Sequence, residues 1–211
     1  MKVVAFNGSP RKNGNTSGCL KTVLAELEKS GIDTELVNVG KETVHGCRAC
    51  FGCVKNKNGQ CAFDNDPVNE WIHKMKNADG ILLGSPVHFS GVAGTMKSFL
   101  DRAFFVASVN GGTLRHKIGA SVVAVRRSGG LPTLNSLNHY IQYSEMIMPC
   151  SNYWNVVHGM NPGEVAQDKE GMQIMELLGK NMAWLMKVIE AGKTSVPAPD
   201  RTDKIMTNFI R

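Results

Sequence analysis

Two stretches of the chain carry residue types that bind ligands, and the first follows an apolar segment at residues 3–7. The sequence then runs Gly-Ser-Pro-Arg-Lys-Asn-Gly-Asn-Thr-Ser to Ser17, just before a helical pattern. Free N–H groups and the positive dipole end of a helix bind anions, and Arg11 and Lys12 add formal charge. The spacing matches neither the nucleotide P-loop nor the dinucleotide fingerprint. An ordinary turn uses similar residues, but this many hydroxyls and amides beside two cations favour a phosphate site.

The second stretch is a group of four cysteines within residues 47–61. Cys47, Cys50 and Cys53 have the spacing C-x-x-C-x-x-C, and Cys61 follows them. Soft thiolate ligands in a compact loop suit a [4Fe–4S] cluster. A zinc site is the second alternative, although zinc loops usually consist of two separated C-x-x-C pairs. Free or redox-active thiols without metal are the third, and the residues alone leave all three open.

Length and composition limit the class of protein. The 211 residues, 42% of them hydrophobic, suffice for one sizeable core and are few for two domains. The formal net charge of +6 comes without a block of lysines and arginines, so we expect no nucleic-acid partner. The sequence opens with no signal-peptide pattern and has no apolar run of membrane-spanning length. We therefore expect a cytoplasmic protein with no membrane partner, whose six cysteines serve metal or redox chemistry rather than disulfides.

Strand-like and helical segments alternate along the chain, which is typical of a parallel sheet with helices on both faces. We predict strands at residues 3–7, 34–39, 80–84, 116–125 and within 146–157, and helices at 16–30, 67–77, 94–107, 131–143 and 167–191. The cysteine loop spans residues 44–65. One domain is predicted over residues 1–193, followed by an extended tail at 194–211.

Two more loops follow the predicted central strands. Residues 84–91, Gly-Ser-Pro-Val-His-Phe-Ser-Gly, combine a proline, two rings and small residues that suit a planar ligand. Residues 126–130, Arg-Arg-Ser-Gly-Gly, offer donors and close backbone approach. Each loop by itself is also consistent with a simple turn. Because open parallel sheets bind ligands outside the carboxyl ends of their strands, the three loops together predict a site for a phosphorylated aromatic ring system.

These three motifs, with Lys97-Ser-Phe-Leu-Asp-Arg102 after the second, resemble the NAD(P)H-dependent FMN reductase family, and more narrowly its iron-sulfur flavoprotein branch. The resemblance covers about residues 1–190. It implies an α/β flavodoxin-like three-layer sandwich with a five-stranded parallel sheet of order 2-1-3-4-5, binding FMN non-covalently within residues 1–193. It further implies that the FMN phosphate is bound by Ser9, Arg11, Asn15, Thr16 and Ser17. The isoalloxazine ring would be flanked by Pro86, Val87, His88 and Phe89. The site would be closed by Ser128 and Gly129.

The expected function is an FMN-dependent oxidoreductase that passes electrons from NAD(P)H to a quinone, flavin or other acceptor. The alternative is an iron-sulfur flavoprotein that carries electrons between ferredoxin-like partners through a cluster on the four cysteines. A non-catalytic nucleotide-binding sensor fits the loops but leaves the cysteines without a role. Because the cofactor carries the chemistry, we name no acid–base catalyst. The resemblance and the Met-rich last helix predict a homodimer or homotetramer.

Other residues receive structural interpretations. We predict an ion pair between Asp101 and Arg102 at a helix end. Cys19 and Cys150 are expected to be buried small residues. The cysteine loop is expected at the same sheet edge as the cofactor. A stripe of methionines with helical spacing is expected to pack in the core: Met172, Met175, Met182 and Met186.

Overall fold

The computed structural model describes residues 1–209, in which a β-sheet lies between two layers of helices. The strands are β1 (Lys2–Asn7), β2 (Asp33–Asn38), β3 (Gly80–His88), β4 (Gly91–Val92), β5 (Ile118–Val125) and β6 (Val156–His158). The helices are α1 (Asn15–Lys29), α2 (Gly52–Asn56), α3 (Val68–Asn77), α4 (Gly94–Val109), α5 (Gly130–Tyr143) and α6 (Lys169–Gly192), with a 3₁₀ turn at Glu164–Gln167.

Five parallel strands form the sheet in the order β2-β1-β3-β5-β6. The short β4 pairs antiparallel with the end of β3, where Val87 lies opposite Val92. Without this two-residue strand, the order is the predicted 2-1-3-4-5, and the predicted fold is confirmed. The strand order reverses between β1 and β3, so the loops that leave these two strands meet where such sheets bind ligands.

The core consists of one apolar layer on each face of the sheet. On the face covered by α3, α4 and α5, the Phe99 ring lies 4.9 Å from Phe6 and 5.2 Å from Trp71, measured between centroids. On the other face, α1 and α6 pack together over the sheet. The predicted methionine stripe is confirmed. The buried members on this face are Met175, Met182 and Met186, and the partly buried Met172 packs against this cluster.

Some boundaries differ from the sequence predictions. Strand β3 continues to His88, because Pro86 stays in register with Ala124 of β5 and the strand then turns back into β4. The last strand is only three residues long, and a short helix, α2, lies inside the cysteine loop. Cys19 is buried as expected, whereas Cys150 is exposed, so that prediction was wrong. In the described chain, no helix combines the length and apolar character needed to span a membrane.

Candidate functional site

The loop after β1 is held in place by glycines that allow close backbone approach. The Gly8 N–H donates to Gly84 O at 2.8 Å, and a Cβ on Gly8 would lie 2.7 Å from the Cβ of Met96. A Cβ on Gly40 would lie 2.3 Å from Gly8 O and from the carbonyl carbon of Ser9. Both contacts are too short for a side chain. Neighbouring elements therefore fix the path of this loop before any ligand binds.

The loop leads into the first turn of α1, which keeps its anion-binding groups free. Gly14 is the N-cap residue, no side chain caps the helix, and the first turn contains no acidic residue. Thr16 and Ser17 are buried, and within the described chain Ser17 Oγ has no hydrogen-bond partner. A buried hydroxyl costs free energy unless it is hydrogen-bonded. This hydroxyl and the adjoining N–H groups are donors of the kind that bind an anion at a helix N-terminus.

The carboxyl ends of β3 and β5 and the loops after β1, β5 and β6 line a cavity with a volume of about 260 Å³. None of its lining residues is acidic, and Arg11 and Arg126 contribute positive charge. Such a lining attracts an anion. Seven of the residues predicted to contact FMN line this cavity: Ser9, Arg11, Asn15, Thr16, Pro86, Val87 and His88.

The loop after β6 also belongs to this site, and the sequence analysis missed it. Gly159 and Met160 line the cavity. Asn15 Oδ1 accepts a hydrogen bond from the Gly163 N–H at 2.9 Å, which fastens this loop to the start of α1. Its position in the sequence could have indicated that it belongs to the site, because the loop leaves the carboxyl end of a strand. Arg126 was missed as well, although it lies in a motif that the sequence analysis had identified.

An acidic side chain shapes the β6 loop without entering the cavity. Glu164 accepts hydrogen bonds from the backbone N–H groups of Asn161 at 2.8 Å and Met160 at 2.7 Å. The bonds from Asn161, followed by the one from Met160, lower the pKa of Glu164. The carboxylate therefore stays ionised at neutral pH, and its charge is used to hold the loop closed.

Four predicted contacts lie outside the cavity lining. Ser17 lies buried behind it, at the first turn of α1. Phe89 and Ser90 have φ values of 48° and 59°, and the Phe89 side chain at the hairpin tip is fully exposed. Ser128 is exposed as well. Gly129 packs against the hairpin instead, since a Cβ there would lie 2.8 Å from the Cα of Ser90.

All four cysteines of the second motif line a small cavity of about 20 Å³. Cys53 is buried, Cys61 is half-buried, and Cys47 and Cys50 are exposed. Burial raises the pKa of Cys53, with repulsion by Cys61 and Cys47 adding to it, so its thiol is protonated at neutral pH. Across residues 1–209, no group of three or more His, Cys, Asp or Glu side chains is arranged to hold a metal ion. The sulfurs thus share a cavity without standing in ligand geometry.

Helix α4 contacts both sites. Its Met96 packs against Gly8 of the phosphate loop, while its Arg102 and Phe105 line the cysteine cavity. Among residues 1–209, none lines both cavities. At a rise of 1.5 Å per residue, Arg102 lies about 12 Å along the axis from Gly94. The cysteine cavity is therefore beside the middle of α4.

The predicted ion pair between Asp101 and Arg102 is wrong. Asp101 forms an ion pair with Lys97 and accepts a hydrogen bond from Tyr140. Burial, and then this hydrogen bond, raises the pKa of Tyr140. Arg102 turns the other way, to Asp66. Successive helical residues point about 100° apart, so neighbours in the sequence do not face each other.

The chain matches the family of NADPH-dependent FMN reductases over residues 1–161. It belongs to this family. An iron-sulfur flavoprotein of Methanocaldococcus jannaschii is 34% identical over 197 residues, which cover 90% of this chain and 100% of that protein. An iron-sulfur flavoprotein of Methanosarcina thermophila is 29% identical over 195 residues, covering 92% and 99%.

Solved structures show the same fold at low sequence identity. RosB, with a bound 8-demethyl-8-formylriboflavin-5′-phosphate intermediate, has a TM-score of 0.69 at 14% identity, covering 100% of this chain and 94% of that one. A flavodoxin from the domain Archaea has a TM-score of 0.58 at 16% identity, covering 89% and 99%. The chain is thus a flavodoxin-like member of a family of FMN-dependent oxidoreductases. Its electropositive cavity, uncapped helix and orphaned Ser17 hydroxyl fit the family's cofactor.

Proposed function

We propose that the protein is an FMN-dependent oxidoreductase that takes electrons from NAD(P)H and passes them to a quinone, a flavin or another small acceptor. The observation that carries this proposal is the cavity beside α1, whose phosphate-binding groups are free and whose lining has no carboxylate. Membership in the FMN reductase family supports the choice of cofactor, and the family's description supports the nicotinamide donor.

The residues of the cavity have separate tasks in this proposal. The first turn of α1, with the hydroxyls of Ser9, Thr16 and Ser17, binds the phosphate, and Arg11 and Arg126 balance its charge. The stretch from Pro86 to His88 orients the ring system. Bound FMN supplies hydride acceptance and electron donation, whereas the protein supplies position and electrostatics. Phe89, Ser128 and Gly129 remain candidates for contacts at the outer rim.

The second candidate function is an electron carrier between ferredoxin-like partners. The shared cavity of the four cysteines favours it, and the relatives named as iron-sulfur flavoproteins support it. In this proposal Cys47, Cys50, Cys53 and Cys61 hold a [4Fe–4S] cluster, which supplies one-electron transfer. The guanidinium groups of Arg48 and Arg102 in the cavity lining suit the negative charge of a thiolate-ligated cluster.

A homodimer or homotetramer is part of the proposal. Trp184 and Val188 are one helical turn apart on α6 and are 65% and 48% exposed. Burial of large apolar side chains between subunits stabilises an assembly. The proposed setting is the cytoplasm, with small molecules or ferredoxin-like proteins as electron partners.

Steady-state kinetics distinguish the two candidate functions. FMN-loaded protein is mixed with NADH or NADPH and a soluble quinone, and nicotinamide oxidation is followed by absorbance. The oxidoreductase proposal expects turnover that depends on both the nicotinamide and the quinone. If a flavin-loaded sample oxidises neither nucleotide but accepts electrons from reduced ferredoxin, the carrier function replaces it. A sample that does neither contradicts both.

A further inference from the structure

Arg102 is a buried charged residue to which the flavin site gives no role. It lies on α4, its residue is 2% exposed, and its side chain forms an ion pair with Asp66, whose own side chain is 4% exposed. Two charges removed from water are tolerated only when their hydrogen bonds are satisfied. The fixed position of this guanidinium therefore needs a complete set of partners.

The partners of Arg102 all belong to the segment that carries the cysteines. Nη1 donates to His45 O at 3.2 Å and to the Asp66 carboxylate. Nη2 donates to Phe63 O at 2.9 Å, and Nε donates to Cys61 Sγ at 3.3 Å. His45 precedes the first cysteine, and the other three partners come at or after the last one. One planar fork of donors thus joins both ends of the cysteine loop.

We propose that Arg102 is the positioning residue of the cysteine site. It closes residues 45–66 into a loop around the shared cavity, aims the Cys61 sulfur into that cavity and places a buried positive charge beside the four thiols. This inference rests on the cysteine half of the proposed function and does not depend on the flavin half.

Arg48 shows why the role falls to Arg102. Both arginines line the cysteine cavity, so both bring positive charge to it. Arg48 is exposed, and its guanidinium carbon lies 4.6 Å from the centroid of the Phe63 ring. Water screens its charge more strongly than that of a buried guanidinium. A substitution of Arg48 is therefore a matched control, because it removes the same charge from the same cavity without breaking a buried set of hydrogen bonds.

The test compares R102K and R102Q with R48K and R48Q. Metal-free, reduced protein loaded with FMN is treated with iodoacetamide, and the alkylation rate of Cys53 is measured by peptide mass spectrometry. Cys53 is buried and has no bond to either arginine, so its rate reports opening of the loop. We expect it to rise more than about tenfold in both Arg102 variants, since local opening becomes easier. The Arg48 variants should stay within about twofold of wild type.

A second readout separates positioning from general stability. After anaerobic reconstitution, both Arg102 variants should retain less iron than wild type. In R102Q the bound cluster should show a lower reduction potential than in R102K, because a positive charge favours the more negative reduced form. FMN affinity, measured by fluorescence titration, should stay within about twofold in R102K.

Three results would overturn the proposal. The first is a Cys53 alkylation rate in both Arg102 variants that equals the wild-type rate. The second is an alkylation rate in the Arg48 variants that rises as much as in the Arg102 variants. The third is a loss of FMN affinity in R102K that accompanies the rise in alkylation rate. Wild-type protein that takes up no iron would instead refute the cluster, and the alkylation comparison would still decide the role of Arg102.

Discussion

Asn15 at the start of α1 accepts a hydrogen bond from the backbone N–H of Gly163, at 2.9 Å and across 148 residues of sequence. The bond joins the first turn of α1 to the loop after the last strand. A side chain that was predicted to contact the phosphate therefore also closes the site from the opposite end of the chain. The cavity is built at the carboxyl ends of four strands, and this contact joins the loops after the first and the last of them.

Removing the hydroxyls at the start of α1 should weaken FMN binding. The double substitution of Thr16 and Ser17 by Ala should cost about 1–3 kcal/mol, since each hydroxyl offers a hydrogen bond to a charged group. A flavin fluorescence titration measures the affinity. Thr22→Ala is the matched control, because its hydroxyl lies on the same helix and bonds to Gly18 O instead. Equal affinities in the double variant and wild type would remove both hydroxyls from the site.

Filling the space at Gly159 should disturb the same cavity from the β6 side. A Cβ there would lie 2.8 Å from Asn15 Nδ2, so Gly159→Ala must displace Asn15 or the loop. We expect FMN affinity to fall by about 1–3 kcal/mol, the usual cost of an overpacked contact. Gly94→Ala on α4 is the control, since a Cβ at Gly94 meets no atom within 4 Å. An unchanged FMN affinity in Gly159→Ala would argue against a fixed β6 loop.

Asp168 should make stability depend on pH. Burial acts to raise its pKa, but hydrogen bonds from the N–H groups of His158 and Gly171, with the charge of His158, outweigh it, and the pKa is lowered. A carboxyl group whose pKa is lower in the folded than in the unfolded protein stabilises the fold at pH values above its unfolded-state pKa. This stabilisation is lost as the pH falls through the group's folded-state pKa. Asp168→Asn keeps an oxygen that can cap α6 but removes the negative charge, so it should cost about 0.3–1 kcal/mol at pH 7, as loss of a carboxylate charge at a helix N-terminus does, and less near pH 3.

Urea unfolding of wild type and Asp168→Asn at the two pH values checks this. Asp203→Asn in the tail is a control, because its side chain is exposed and caps no helix. The same loss of stability at both pH values would show that the carboxylate charge has no part in the effect.

The outer face of α6 should take part in assembly. Trp184→Glu should shift the oligomer towards monomer, since it puts a charge where we expect an apolar contact between subunits. Lys76→Glu, at an exposed position of α3 on the opposite face of the sheet, should leave the assembly unchanged. Light scattering after size exclusion measures the mass. A monomeric wild-type protein at micromolar concentration would contradict the predicted homo-oligomer.

The fold and much of the candidate site could be predicted from the sequence because the patterns that indicate them are local. Strand β5 is buried along its whole length and reads as a continuous apolar run, as strands covered on both faces do. The phosphate loop was predictable because its glycines, hydroxyls and cations lie together in the sequence. Thr16 accordingly lines the cavity, and Ser17 lies buried behind it.

The remaining features depend on contacts that local patterns do not show. Strand β6 has only three residues, so neither its bounds nor the loop after it stood out. Phe89 was expected on the ring, but the left-handed turn of the hairpin carries its side chain into solvent. Arg102 forms an ion pair with Asp66, 36 residues earlier in the sequence. The sequence pattern instead suggested a pair with the neighbouring Asp101.

A comparison of FMN with riboflavin tests the central claim most directly. In the proposed site, most of the specificity for FMN comes from the phosphate-binding groups at the start of α1. Flavin-free protein should therefore bind FMN about 100-fold more tightly than riboflavin, the equivalent of two charge-assisted hydrogen bonds. Fluorescence titrations of both flavins give this ratio, and in the Thr16 and Ser17 double variant it should shrink. Equal affinities for FMN and riboflavin in wild type would contradict the account.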